Sequence, residues 1–200
     1  MSSTPSNRSR LGIIYLTAII TICSLYAAQP IQPVFQEEFQ LSNLQALLFT
    51  TLMMFPLGIA PLFYGFLLEM FSAKLLIRGA VLLLGLLELV FACSQSYVFL
   101  LSIRAVQGLM IPAILTSLMS YISFTSKREN VQHAIAVYIA STIVGGFLGR
   151  FLSGLSTELF GWRYFFVFIG ILLICAFFLL RILEKDANME YARPKPGEVA

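Results

Sequence analysis

Tyr97-Val-Phe-Leu-Leu-Ser-Ile-Arg104-Ala-Val-Gln107-Gly108-Leu-Met-Ile-Pro112, running on apolar to Phe124, is the stretch that decides the fold. It exceeds the ~20 residues a helix needs to cross a bilayer. Arg104 stands inside it, and a mid-membrane arginine costs roughly 2.5–3.5 kcal/mol on insertion scales. Such a charge needs a polar partner or a wet cavity. Gln107 lies one turn on, on the same helix face, and Gly108 permits close backbone approach. The plainer alternative is an arginine that snorkels to the nearer interface.

Composition outside this stretch agrees with a membrane setting. The 200 residues are 58% hydrophobic and 12% charged, against about a quarter charged in soluble domains. Mean hydropathy is +0.86. Net charge is +3, but the basic residues are scattered, and no block of them points to nucleic acid. Cys23, Cys93 and Cys175 fall in or beside apolar runs without close spacing. They read as small apolar packers rather than a disulfide or metal framework.

Taken in order, residues 1–10 read as a cytoplasmic N-terminal tail, and 11–183 as a six-helix transmembrane bundle. The six spans are Leu11–Gln29, Ala46–Leu68, Leu75–Ala92, Tyr97–Phe124, Ala134–Phe160 and Tyr164–Leu183. The first is too long for the apolar core of a signal peptide and is followed by five more, so it reads as retained. Pro30 to Gln45 reads as an outer loop. Pro56, Gly58 and Pro61 should bend the second span. From Glu184 onward the chain is polar and reads as a cytoplasmic tail or the start of a linker.

Six crossings put both ends on one side. Arg8, Arg10, Lys74, Lys127, Arg128, Lys185, Arg193 and Lys195 fall on the side of the N-terminus, with Arg163 opposite. The positive-inside rule then gives cytoplasmic N- and C-termini. The expected home is the inner (plasma) membrane of a bacterium.

Two turns repeat. Gly65-Phe-Leu-Leu-Glu69-Met-Phe71-Ser-Ala-Lys74 follows the second span, and Gly154-Leu-Ser-Thr-Glu158-Leu-Phe160-Gly-Trp-Arg163 follows the fifth. Glycine, acid, phenylalanine and base recur at equal offsets on opposite sides of the membrane. The fold class expected is therefore all-α, six transmembrane helices as a 3+3 inverted repeat. In each turn the glycine is expected to let two helices pack closely. The acid would sit at the N-terminus of the next helix and the base pair with it.

Three of these stretches carry a family resemblance. Arg104-Ala-Val-Gln107-Gly108 resembles the R-x-x-Q-G signature of the fourth helix in major facilitator superfamily transporters. Gly65, Leu67 and Lys74 fit the family's loop signature G-x-L-A-D-R-x-G-R-K, with Glu69 replacing aspartate. Met70, Ser72 and Ala73 depart from it, which weakens the cytoplasmic latch this loop forms in the family. Ser141-Thr-Ile-Val-Gly145-Gly146-Phe-Leu-Gly149-Arg150-Phe-Leu-Ser-Gly154 is similar to the glycine-rich fifth helix of the antiporter-type branch, without its glycine–proline pair. The likeness is nearest to sugar and drug efflux carriers.

The resemblance implies the N-terminal six-helix half of a facilitator-type secondary transporter. It implies proton-coupled efflux of a small molecule, without a cofactor. Partners would be membrane lipid, a small-molecule substrate, protons and a second six-helix half. A half-size carrier working as a dimer is the runner-up, and a non-transporting scaffold the alternative outside transport. The polar run after Glu184 favours a piece of a longer protein over the dimer. The resemblance also implies that Arg104 lines the central cavity and takes part in proton coupling or substrate contact.

Site candidates follow from charges and polar groups inside spans. Glu88 and Arg104 each lie eight residues from Ser96, so an antiparallel hairpin puts them at similar depth, where Glu88 can offset Arg104. Arg104 cannot itself carry a proton at working pH; its expected role is to tune a nearby acid or hold an anion. Arg150 is either a second cavity charge or a snorkel. On the first span Tyr15, Thr17, Thr21, Ser24, Tyr26 and Gln29 are polar, with Tyr26 and Gln29 the better choices near the outer mouth; most such residues bond their own backbone. An intramembrane hydrolase is the rival enzyme reading. The sole histidine, His133, lies in a polar loop, and no nucleophile–base pair stands in the spans, so an enzyme is not expected.

Overall fold

The computed structural model describes residues 7–183, without the side chains of Asn7, Arg8, Phe66 and Glu69. The linker reading from Glu184 lies outside the described residues, as do the side chains of Arg8 and Glu69. The elements are α1 (Asn7–Tyr26), α2 (Gln32–Phe39), α3 (Asn43–Met70), α4 (Ala73–Cys93), α5 (Tyr97–Thr125), α6 (Val131–Leu159) and α7 (Trp162–Leu179), closed by a 3₁₀ turn, Leu180–Ile182. All but α2 are long and apolar enough to cross a membrane, six in number. Helices suit that setting because a bilayer offers their backbone groups no water to bond. The protein is a multi-pass membrane protein built wholly of helices among the described residues.

Local signals set the boundaries. Ser42 and Gln45 form a capping box at the start of α3, and the Ser72 side chain accepts from the Leu75 amide to open α4. Both satisfy amides that the first helical turn leaves free. α3 runs through Pro56 and Pro61 and α5 through Pro112 as continuous helices.

α1 packs on α6, α3 on α5, and α4 on both α7 and α5. Exchanging the triplet α1, α3, α4 for α5, α6, α7 turns the first pair into the second and the third into itself. That is the contact pattern of an inverted repeat.

The glycines that permit close packing are not those of the repeated turns. A Cβ at Gly65 would meet nothing within 4 Å, and one at Gly154 only the Pro30 Cβ at 4.0 Å. The expectation for these two is corrected: both turns are open. Close approaches occur mid-helix instead. A Cβ at Gly145 would lie 2.6 Å from the Ile19 carbonyl, at Gly149 2.6 Å from that of Cys23, and at Gly108 2.8 Å from those of Leu52 and Met53. Gly85 and Gly170 face each other across α4 and α7 in the same way.

At the second turn the base departs from expectation, while the Glu69–Lys74 pairing of the first rests on a side chain outside the described residues. Arg163 pairs with Glu38, at 2.6 Å, rather than with Glu158. Lys74 donates to the carbonyls of Arg181 (3.0 Å) and Leu183, in and just after the 3₁₀ turn that closes α7. A cation there complements the helix C-terminus. Of the cysteines, Cys23 is buried, its thiol 3.2 Å from the Gly145 carbonyl, whereas Cys93 and Cys175 are exposed rather than packed.

The loop expected over Pro30–Gln45 contains α2. Its Phe35 is fully buried, with ring centroids 4.4 Å from Phe49 and 5.0 Å from Trp162. Glu38 accepts from Trp162 Nε1 and Arg163 Nη1, both at 2.6 Å, and Arg163 Nη2 donates to the Ser94 carbonyl at 3.3 Å. These contacts bind α2, the α4–α5 turn and the α6–α7 turn into one cap over this end of the bundle.

Candidate functional site

Among the described residues, two polar groupings bring together residues expected from sequence. The first is sealed. Glu88 on α4, Arg104 and Gln107 on α5, and Ser24 on α1 are each 0% exposed. The Ser24 hydroxyl donates to Glu88 Oε1. Arg104 lays its guanidinium 4.0 Å from the Phe91 ring centroid and 4.8 Å from that of Phe166. Its Nη1 lies 3.0 Å from Met53 Sδ, a soft acceptor. Two aromatic faces and a thioether offset part of the charge.

The grouping is under-satisfied. Glu88 Oε2, Arg104 Nε and Nη2, and both amide atoms of Gln107 have no hydrogen-bond partner. Glu88 and Arg104 feel each other electrostatically, but neither hydrogen-bonds the other, and the Gln107 amide stands near Glu88 outside bonding geometry. Buried charges left this way cost several kcal/mol per ion. Unsatisfied buried groups are rare in folded proteins, and each calls for an explanation. The expected offset of Arg104 by Glu88 is present as proximity rather than a direct pair.

Arg104 is therefore not where the resemblance put it. It points into the interior of the six-helix bundle, not onto an open cavity wall. Full burial also removes the snorkelling alternative.

The second grouping is open. Arg150 on α6 is exposed. Its Nε donates to Gln29 Oε1 at 2.8 Å, and its Nη1 to the Gly146 carbonyl at 2.9 Å. Its guanidinium sits 3.8 Å above the Tyr26 ring centroid. Gln29 Nε2 lies 3.8 Å from Met54 Sδ. A Cβ at Gly146 would sit 3.4 Å from both Arg150 Nη1 and the Tyr26 ring, so glycine leaves room for the stack. The backbone contacts at Gly145 and Gly149 hold α6 on α1 and fix this register.

The two groupings are neighbours. Ser24 and Tyr26 stand two residues apart on α1, and consecutive methionines on α3, Met53 and Met54, touch one grouping each. Sequence reasoning named Ser24 only among the polar residues of α1, and missed Met53, Phe91 and Phe166. Thr17 and Thr21 bond the carbonyls four residues back, as expected. A groove of about 590 Å³ between α3 and α5 is lined by Gly65, Thr116, Met119, Ser120 and Phe124 among others. It is separate from both groupings.

Comparison with known proteins places this arrangement. The profile of the Major Facilitator Superfamily matches residues 14–199. The chain is 28% identical over 184 residues to the inner membrane transport protein YnfM of Escherichia coli, covering 92% of this chain and 44% of that protein. It is 30% identical over 177 residues to an uncharacterised transporter of Buchnera aphidicola, covering 87% and 43%. Among solved structures it superposes on a peptide transporter with TM-score 0.77 at 14% identity, over 86% of this chain and 37% of the other. A bacterial homologue of the lysosomal transporter Spinster, inward-facing and unoccupied, gives 0.73 at 17% identity, over 90% and 44%. The chain thus spans about two fifths of the length of the relatives it matches. With its 3+3 repeat forming one six-helix half of that fold, this chain belongs to the Major Facilitator Superfamily.

Proposed function

We propose that the chain is one half of a secondary transporter that moves a small molecule across the inner membrane in exchange for protons. The observation that carries this reading is the sealed Ser24–Glu88–Arg104–Gln107 grouping. A bundle that needed only to span the membrane would fill those positions with apolar side chains at lower cost.

Glu88 is the proton carrier in this reading. Ionised, it accepts from Ser24 and offsets Arg104. Protonated, it becomes a donor through its O–H and leaves Arg104 uncompensated. Gln107, with both amide atoms free, is positioned to take up the altered hydrogen bond. Two hydrogen-bond arrangements of one packed core give a bistable element of the sort transport cycles use. Arg104 keeps its charge in both. The direction is efflux, both termini are cytoplasmic, and no covalent chemistry is performed.

The second half covers exposed apolar side chains of α3 (Phe55, Ile59, Leu62, Phe63) and Ile143 of α6 that lipid does not. It is a further six helices of a longer chain, since the relatives run to more than twice this length. A second copy of this chain is the runner-up.

The test is proton movement in proteoliposomes that carry the chain with its second half and an internal pH dye. Solute addition should drive a proton flux that Glu88→Gln abolishes while solute binding persists. Equal flux in the variant would remove Glu88 from the mechanism. Unchanged function after Arg104→Ala would favour a scaffold.

A further inference from the structure

The exposed guanidinium of Arg150 has a geometry that the proton reading does not use. We propose that Arg150, Tyr26 and Gln29 form a recognition site for an organic carboxylate with an apolar body. This deepens the transport reading by naming the substrate class.

Four observations carry it. First, the guanidinium is held rigidly. Gln29 takes its Nε edge, the Gly146 carbonyl takes one Nη1 hydrogen, and the Tyr26 ring fixes its plane. Second, one edge is left over. Nη2 makes no hydrogen bond among the described residues, so a bidentate fork toward a carboxylate remains open. Third, the charge has no acid. The ion pair seen among the described residues is Glu38 with Arg163, and Arg150 has only neutral partners. Fourth, the guanidinium stays at the level of the end of α1, where Gln29 holds it, and does not run on to the end of α6. It turns back to the carbonyl four residues before it, toward the middle of α6. The near end of the helix, Leu159, lies nine residues, or ~13 Å, in the other direction.

The neighbours fit an apolar body. Phe147, one turn before Arg150, and Phe151 beside it are both exposed, and their rings are 5.9 Å apart and nearly parallel, at 5°. A carboxylate on the guanidinium would place its hydrocarbon portion beside these rings. A neutral amide of equal shape would keep that contact and lose the charge-assisted pair. The site discriminates by charge, and a methylated or amidated analogue is rejected.

The test uses the chain purified together with its second half in uncharged maltoside micelles, with benzoate as probe and benzamide and benzylamine as controls. Titration calorimetry and thermal shift should show saturable benzoate binding at least about tenfold tighter than that of either control. Arg150→Gln should remove the preference. Gln29→Glu keeps the arginine and supplies an internal carboxylate, so it should also abolish binding while preserving the helix content. Equal binding of benzoate and benzamide, or benzoate binding retained in both variants, overturns the proposal. A lipid phosphate could occupy the same edge. Loss of benzoate binding in phosphatidylglycerol nanodiscs but not in phosphatidylcholine ones would assign the site to the headgroup and overturn the solute reading. Failure here leaves proton exchange at Glu88 untouched, and failure of that exchange leaves carboxylate binding standing, so the two readings fall separately.

Discussion

Gly149→Ala should destabilise the bundle through a single methyl group. Its Cβ would stand 2.6 Å from the Cys23 carbonyl oxygen and 2.7 Å from the Cys23 Cα, both backbone atoms that cannot rotate away. Ordinary contact begins near 3.4 Å, so α1 and α6 must part by about 0.8 Å, a gap that forfeits roughly a quarter to a half of each local dispersion contact. Overpacking of this kind costs about 1–3 kcal/mol. Gly145→Ala meets the Ile19 backbone one turn away and should cost a similar amount. The double variant should cost less than the sum, because one separation relieves both clashes. Gly12→Ala and Gly65→Ala supply the contrast. Neither Cβ meets anything within 4 Å, so the gain in helix propensity should leave them neutral or up to ~1 kcal/mol more stable. The assay is unfolding of micelle-embedded protein by added dodecyl sulfate, followed by helical circular dichroism. A Gly149→Ala protein as stable as the parent, beside a destabilised Gly65→Ala protein, would refute the reasoning.

The packing of the buried and capping charges leads to three further outcomes. Glu88→Gln and Arg104→Gln should each cost about 3–5 kcal/mol by stranding the other buried charge; the double variant should recover more than 1 kcal/mol of the sum in a double-mutant cycle, and strict additivity would show that the two groups do not interact. Arg104→Lys should not substitute, since a point ammonium cannot lie flat against Phe91 and Phe166 together; parental stability would contradict the stacking argument. Glu38→Gln weakens the cap that joins α2 to Trp162 and Arg163, and because Glu38 and Arg163 are each about a third exposed the loss of their ion pair should be no more than ~1 kcal/mol, with faster amide exchange confined to residues 32–39 as the sign that distinguishes it from a global effect.

The long elements were legible because lipid imposes one requirement along the whole of each span, and a run such as Leu75–Ala92 meets it at every position. The bundle pairing was legible through the repeated turns, although for the wrong physical reason. Gly65 and Gly154 mark equivalent places without packing helices, whereas Gly108, Gly145 and Gly149 do the packing. Gly108 and the glycines of the fifth span were candidates for packing from sequence alongside Gly65 and Gly154, and helix rotation decides which of them meet a neighbouring backbone. α2 was hidden by its length and low hydropathy. The spacing of Ile31, Phe35 and Phe39 was the available signal, one apolar residue per turn. Tyr26, Gln29 and Arg150 could be named separately, and the geometry joins them. The inward aim of Arg104 was not legible, because a charge in a span needs a polar surrounding and sequence does not say whether a cavity or the bundle core provides it. Ser24 was overlooked as an acid partner because a serine in a membrane helix is usually satisfied by its own backbone.

Infrared difference spectroscopy of the detergent-purified chain across a pH titration tests the proton reading at its source. A carboxylic acid C=O stretch that appears on acidification, vanishes on alkalinisation and is absent from Glu88→Gln is the result expected. A spectrum in which the Glu88 carboxyl keeps one protonation state throughout, with the protein folded, would contradict the account.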